Sequence, residues 1–365
     1  MPCLSCVAGN VSKTSVAVTR FDQCLQRTFP TDGGTCPDDC SGFFQEASKP
    51  KLSEEAVLAI PKHHVDSGSR QPRWVYTLFV GVAAALTGGC ATSQSRVALP
   101  PVAQAASDVR HPGQFVWHDL VTENPVSARD FYGQLFGWDF EEIQGEGVVY
   151  TTIIHDGLAI GGIASIEEAD VEVPSSRWLS VLSVEDVDAA VSAVVRGGGS
   201  VNMPARDNVT RGRMALVTDP QGAMVVLLRS LNGDPPNLDP DRLVSNRWMW
   251  TELWTDDLEA SIELYADVVG YESESGALQV SENSRVFMRD GNPRAGLNLL
   301  PWPEVRPNWL PYIKVDDAEA VARQVEALGG TILIPPLPEI RNGTTGLMMD
   351  PTGAAFAIQE WPVGQ

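Results

Sequence analysis

The feature that most constrains this chain is a repeat. "FVWHDLVTENPVSARDFYGQLFGW" at 115–138 aligns with "WMWTELWTDDLEASIELYADVVGY" at 248–271. Further on, "RWLSVLSVEDVDAAVSAVVRGGGSV" aligns with "NWLPYIKVDDAEAVARQVEALGGTI", and "MALVTDPQGAMVVLL" with "GLMMDPTGAAFAIQ". Self-similarity on this scale means one architecture built twice. The copies run from 112 to 231 and from 246 to 363, joined by a Pro, Asn and Asp-rich linker at 232–245. About 120 residues each suffices for an independent core.

Within a copy the order recurs again. A strand pattern at Phe115–Thr122 precedes a helix pattern at Val126–Phe136 and strand-like runs at Val148–Ile154 and Leu158–Ile166. A second unit opens with a strand at Trp178–Val184 and a helix at Val187–Arg196, closed by Gly197, Gly198 and Gly199. Strands at Met214–Thr218 and Met224–Leu228 flank "DPQG", a turn sequence. The expected fold class is α+β, with two βαβββ units per copy.

"ARDFYGQLFGW", "SIELYADVVGY", "DPQG" and "DPTG", in this order across about 112–363, resemble the vicinal oxygen chelate superfamily. That superfamily includes glyoxalase I, extradiol dioxygenases and bleomycin-resistance proteins. The "VWHDL" and "MWTEL" starts look most like its tandem glyoxalase-like subgroup. The resemblance implies that paired units curl into two half-barrel domains, each with a ligand on its concave face. In metal-binding members a ligand, often His, lies fourteen residues before the Phe of the helix motif, which lands here on Trp117 and Trp250. The second units put Leu179 and Leu310 at the equivalent places. A Glu is expected seven residues after the Asp of "DPxG", and Val226 and Ala357 stand there. Ala164 and Asn298 occupy the remaining ligand-bearing strands. The resemblance thus implies neither a metal nor another cofactor.

His118 sits beside Asp119, a pairing that invites a metal or acid–base reading. Strand alternation puts it on the face opposite Trp117 and Asp119, so a structural role is expected. His155 falls in a turn-like "HDG", His111 precedes a proline, and the second copy has neither His nor Cys. Counting by twos, the concave face of copy one presents Trp117, Asp119, Leu179, Val181, Met224 and Val226. That of copy two presents Trp250, Glu252, Trp254, Asn298, Leu310, Tyr312, Ala357 and Gln359. Apolar walls with few polar groups suit a small molecule. Asp119 and Glu252 occupy matching places, and a buried carboxylate needs a partner. Arg177, Arg213, Arg285 and Arg294 are the expected partners. The same two carboxylates are candidates for ligand contact or for a general base.

Net charge is −21, which disfavours nucleic acid. All six cysteines lie at or before Cys90, so the repeats carry neither disulfide nor thiol chemistry. Cys3, Cys6, Cys36 and Cys40 with His63 and His64 leave a zinc site open as an alternative. Arg70 and Arg73, an apolar run from Trp74 to Leu86, and "LTGGC" read as a signal peptide over 65–90. The last motif resembles a bacterial lipobox with Cys90 as the lipidated residue, followed by a flexible tether at 91–111. Residues 1–64 are then an extension or an over-extended start, with Val65 a candidate initiation site. The expected location is the cell envelope, at the outer membrane in a Gram-negative cell because Ala91 follows the cysteine.

The expected function is lipid-anchored, metal-free binding or sequestration of a small apolar or aromatic molecule. The alternatives are a lyase, isomerase or dioxygenase, metal-dependent or using Asp119 or Glu252, and an envelope protein-interaction module. No oligomeric state is specified.

Overall fold

The computed structural model describes residues 98–145, 149–166, 173, 175–236, 240–274, 283–300 and 305–361. The signal peptide, Cys90 and the early cysteine–histidine set lie outside the described residues.

Copy one runs β1 (Phe115–Thr122), α1 (Pro125–Phe136), β2 (Asp139–Gln144), β3 (Val149–His155), β4 (Leu158–Ser165), β5 (Arg177–Ser183), α2 (Val187–Arg196), β6 (Ser200–Asn208), β7 (Gly212–Thr218) and β8 (Met224–Ser230). Copy two repeats this with β9 (Trp248–Thr255), α3 (Leu258–Val269), β10 (Glu272–Glu274), β11 (Ser284–Arg289), β12 (Asn292–Leu299), β13 (Asn308–Val315), α4 (Ala318–Ala327), β14 (Thr331–Ile334), β15 (Thr345–Met349) and β16 (Ala355–Glu360). Each copy forms one eight-stranded sheet, ordered β2-β3-β4-β1-β5-β8-β7-β6 and β10-β11-β12-β9-β13-β16-β15-β14. The seam is the antiparallel pair β1–β5, or β9–β13, flanked by parallel pairs β1–β4 and β5–β8, or β9–β12 and β13–β16. These are the tandem βαβββ half-barrels expected.

Local chemistry sets the helix ends. Asn124, Asp186, Asp257 and Asp317 each accept a backbone N–H of the first turn. Gly137 and Gly270 close α1 and α3 with φ of 68° and 70°, where a β-carbon would be strained. The "DPxG" turns are held from within. Asp219 accepts from the backbone of Gln221, Gly222 and Ala223 at 3.1, 2.8 and 2.8 Å. Asp350 does the same for Thr352 and Ala354.

Strands β2 and β6 escape the sequence patterns, and both are outermost in their sheet. "DFEEIQ" and "SVNMPARDN" are polar, and the latter contains Pro204. That is edge-strand chemistry, which lacks the two-residue apolar period.

The two copies do not have separate cores on their helix sides. One apolar cluster joins α2 and the outer face of the first sheet to α3, Leu253, Phe287 and Trp309 of copy two. The other joins α1, Leu120, Ile163 and Trp178 to Ile313, Met348, Phe356 and α4. Two short helices cannot cover eight strands, so each copy lends helices to the other. Polar bonds cross the same boundary reciprocally: Tyr132 donates to Asp350 at 3.0 Å, and Tyr265 donates to Asp219 at 3.2 Å. Each tyrosine also accepts from its own copy's buried indole, Trp178 at 2.8 Å or Trp309 at 2.7 Å. Burial, then the carboxylate beside it, raises both phenols well above their ordinary pKa, so they remain donors.

Candidate functional site

In copy one, Trp117, Leu179, Val181, Met224, Val226 and Leu228 line the concave face, with Met203, Met214 and Leu216 from β6 and β7. Asp119 lies among them on the Trp117 side of β1. Its Oδ1 accepts from Trp117 Nε1 at 2.8 Å and from the Tyr150 hydroxyl at 2.5 Å. Its Oδ2 accepts from Arg211 Nη1 at 2.8 Å, and Arg211 Nη2 donates to Tyr150 at 2.9 Å. The Arg211 guanidinium also stands 5.0 Å from the Trp117 ring centroid. Burial would lower Arg211, but Asp119 and Tyr150 hold it above its ordinary value. Burial raises the Tyr150 hydroxyl, with Arg211 opposing and Asp119 reinforcing. Gly162, paired with Asp119 across β1–β4, makes the room: a β-carbon there would lie 1.8 Å from the Tyr150 oxygen.

The chain fills this cup itself. Val102 is buried against Trp117 and its neighbours, with Leu99 packed on the same cluster. Thr210 Oγ1 donates to Leu99 O, Arg211 Nε to Pro100 O at 3.0 Å, and Gln104 Nε2 to Gly157 O at 3.1 Å. Residues from 98 onward in the expected flexible tether are therefore a docked strap. Their apolar side chains and free carbonyls match a cup that offers both an apolar wall and a buried guanidinium.

Copy two repeats the arrangement with different groups. Glu252 Oε2 accepts from Tyr312 at 2.5 Å and from Asn298 Nδ2 at 2.9 Å. Its Oε1 accepts from Arg341 Nη2 at 2.5 Å, and Arg341 Nη1 donates to Gln359 Oε1 at 3.0 Å. Arg341 stands 5.4 Å from the Tyr312 ring centroid. Burial would lower it, but Glu252 and Tyr312 hold it above its ordinary value. Burial also raises Tyr312, reinforced by Glu252 and opposed by Arg341. Leu310, Tyr312, Leu347 and Ala357 form the apolar wall, with Trp250 and Trp254 only half-buried against it. Arg341 has a left-handed φ of 48°, strained for a side-chain-bearing residue.

Asp119 and Glu252 are thus paired as their burial requires, but not with the arginines expected. Arg213 bridges Asp188 and Asp207 at the surface. Arg177 contacts Ser175 and Met224, and Arg285 donates to Ser284 O. Arg294 has no bond to either carboxylate among the described contacts. The true partners sit in the turn before the seventh strand of each copy, in "TRG" and "RNG". An arginine one or two residues before that turn's glycine is the available signal.

His118 is buried, with Nδ1 3.1 Å from Ser180 Oγ and its ring 4.6 Å from that of Trp248. Burial pushes it down to about 3, so it is a neutral imidazole. No described group of three or more His, Cys, Asp or Glu side chains could hold a metal. The positions that would supply ligands carry indole, isobutyl, isopropyl and methyl groups, and Asn298 is committed to Glu252 and Ser284. The donor set does not fit a divalent metal.

Comparison with known proteins completes the description. Residues 112–227 match the family model "Glyoxalase/Bleomycin resistance protein/Dioxygenase superfamily". "Putative glyoxylase CFP32" of Mycobacterium tuberculosis is 34% identical over 244 residues, covering 66% of this chain and 92% of that one. "Anthracycline biosynthesis protein DnrV" of Streptomyces peucetius is 28% identical over 273 residues, covering 68% and 94%. Among solved structures, the Mn(II)-bound glyoxalase from Novosphingobium aromaticivorans aligns with a TM-score of 0.47 and 13% identity, covering 69% of this chain and 83% of that one.

Proposed function

This chain belongs to the glyoxalase/bleomycin resistance protein/dioxygenase superfamily, and within it we propose a metal-free module that binds a small apolar or aromatic molecule in the cup of copy two. The observation that carries this is the contrast between the cups. Cup one is closed by the strap, and every oxygen of Asp119 is bonded within the protein. Cup two keeps the same carboxylate–arginine floor, but Trp250 and Trp254 stay partly exposed above it and Arg341 is held in a strained turn. A flat apolar molecule can lie against the indoles while a polar substituent meets Arg341 or Asn298. Glu252 is a poor general base, because Tyr312, Asn298 and Arg341 already donate to it.

The cell-envelope part of the proposal rests on "LTGGC": Cys90 carries the acyl chains and residues 91–97 link it to the strap. Mass spectrometry of the mature N-terminus in a bacterial host tests this, and an unmodified Cys90 refutes it.

The binding proposal is tested by thermal unfolding of the protein against a panel of aromatic and apolar compounds. A ligand at about a hundred times its Kd adds roughly 2.7 kcal/mol, or about 5–10 °C for a body of this size. Trp250→Ala or Arg341→Gln should remove the shift. A shift that survives both, turnover of a ligand, or a stoichiometric metal required for binding would refute the proposal.

A further inference from the structure

A cavity lies where the copies meet, bordering cup one at Val102 and Trp117 and cup two at Trp250. Its volume is about 480 Å³, ample for a small ligand. Matching pieces of the repeat form it: the starts of β1 and β9, the starts of β4 and β12, and the linker prolines Pro235 and Pro236. Because the matching pieces differ in sequence, the result is not symmetric. Gln114 of copy one stands where copy two has Arg247, and Ile160 where copy two has Arg294.

Four residues of this lining carry a buried polar atom with no hydrogen-bond partner: Gln114 Oε1, Trp248 Nε1, Thr251 Oγ1 and Arg294 Nε. Thr251 itself is 2% exposed. A buried polar group without a partner costs about 1–3 kcal/mol, so four around one space require explanation. The carboxylates and arginines of the cups, by contrast, are closed into networks. Here two donors, one acceptor and one hydroxyl belong to residues that line one cavity. The charge is one-sided as well. Arg247 and Arg294 line the cavity and no carboxylate does. Burial pushes Arg247 below its ordinary value, with Asp156 as the opposing charge. The walls are flat rings, with His118 against Trp248 and Trp250 beside them.

We infer that this junction cavity is a binding site for an aromatic carboxylate that carries a hydroxyl group. The guanidinium of Arg294 and the Trp248 indole N–H meet the carboxylate, with Arg247 supplying further positive charge. The ring lies against the indoles. The hydroxyl donates to Gln114 Oε1 and accepts from Thr251 Oγ1. This site shares Trp250 with cup two but neither Glu252 nor Arg341, so the arginine variants separate the two readings.

The test is calorimetric titration of the full chain with 6-hydroxy-2-naphthoate, with 2-naphthol as the uncharged comparison and 2-naphthoate as the one lacking the hydroxyl. One 6-hydroxy-2-naphthoate should bind per chain, at least tenfold tighter than 2-naphthol. Arg294→Gln and Arg247→Gln should each weaken it about ten- to a hundredfold, the loss of a charge-assisted hydrogen bond. Arg213→Gln, an exposed arginine on the surface, should leave it unchanged. Thr251→Val removes only a hydroxyl, and should erase the preference for 6-hydroxy-2-naphthoate over 2-naphthoate even if an arginine variant fails to fold. Absence of saturable binding to the wild-type chain overturns the inference, as does unchanged affinity in folded Arg294→Gln. Loss on Arg341→Gln with Arg294→Gln behaving as wild type would put the anion in cup two and overturn it equally.

Discussion

The neutral state of His118 can be measured as a pH dependence of stability. Its folded pKa is about 3 against an ordinary 6.5. Above 6.5 neither the folded nor the unfolded chain protonates it, so it adds no pH dependence. As pH falls below 6.5 the unfolded chain takes up the proton and the folded chain does not, until pH approaches 3. Stability is therefore lost with falling pH across this window, at a slope approaching 1.4 kcal/mol per unit. From pH 7 to pH 5 the expected loss from this one residue is about 2 kcal/mol. Urea unfolding of the wild type and of His118→Gln at both pH values isolates it. Glutamine offers Ser180 a partner but no titration, and the pH dependence of all other groups cancels in the difference. The variant should lose about 2 kcal/mol less than the wild type on acidification, whatever its stability at pH 7. Equal losses in the two proteins would mean that His118 is hydrated or charged in the fold. The argument for a neutral structural imidazole would then fail.

Gly162→Ala should eject the Tyr150 hydroxyl from Asp119, Trp117 and Arg211, costing about 3 kcal/mol or more in chemical denaturation. A loss below about 1 kcal/mol would mean that this network is not closed as described. Val102→Ala removes about two methylenes from cup one and should cost about 1–2 kcal/mol; no change in urea midpoint would show the strap to be undocked in solution. Tyr132→Phe and Tyr265→Phe should each cost about 1–3 kcal/mol by stripping a hydrogen bond from the other copy's "DPxG" turn. They should do so in a single unfolding transition, and two transitions would refute the shared core.

Much of the fold was readable because its signals are local. The glycines after α2 and the "DPxG" turns act within a few residues. Counting by twos along β1, β5, β9 and β13 also placed most cup residues, since those strands are central and easily recognised as apolar runs. What stayed hidden depends on distance along the chain. Arg211 meets Asp119 across 92 residues and Arg341 meets Glu252 across 89. Both come from turns, where no periodicity indicates direction. The strap, "LPPVAQ", has the composition of a linker. Its role follows only once a buried guanidinium needs the Pro100 carbonyl. The sharing of helices between copies was equally invisible, because an apolar helix face does not say which sheet it will cover.

The exchange of helices and tyrosines across the repeat divides the duty of each sheet between its two sides. The reciprocal tyrosine bonds and the shared apolar clusters lie on the helix side, so that side answers for assembly. The concave sides meet at the junction cavity through Trp117 and Trp250, but each carboxylate–arginine floor is built within one copy. A duplicated gene inherits two such sides, and changes on one do not have to be matched on the other. One could be given over to a piece of the chain's own N-terminal arm while its twin kept exposed indoles over an ionic floor. Divergence by substitution is thus steered into the cups, and the mate-facing residues of either half become the ones a recombinant hybrid must keep together.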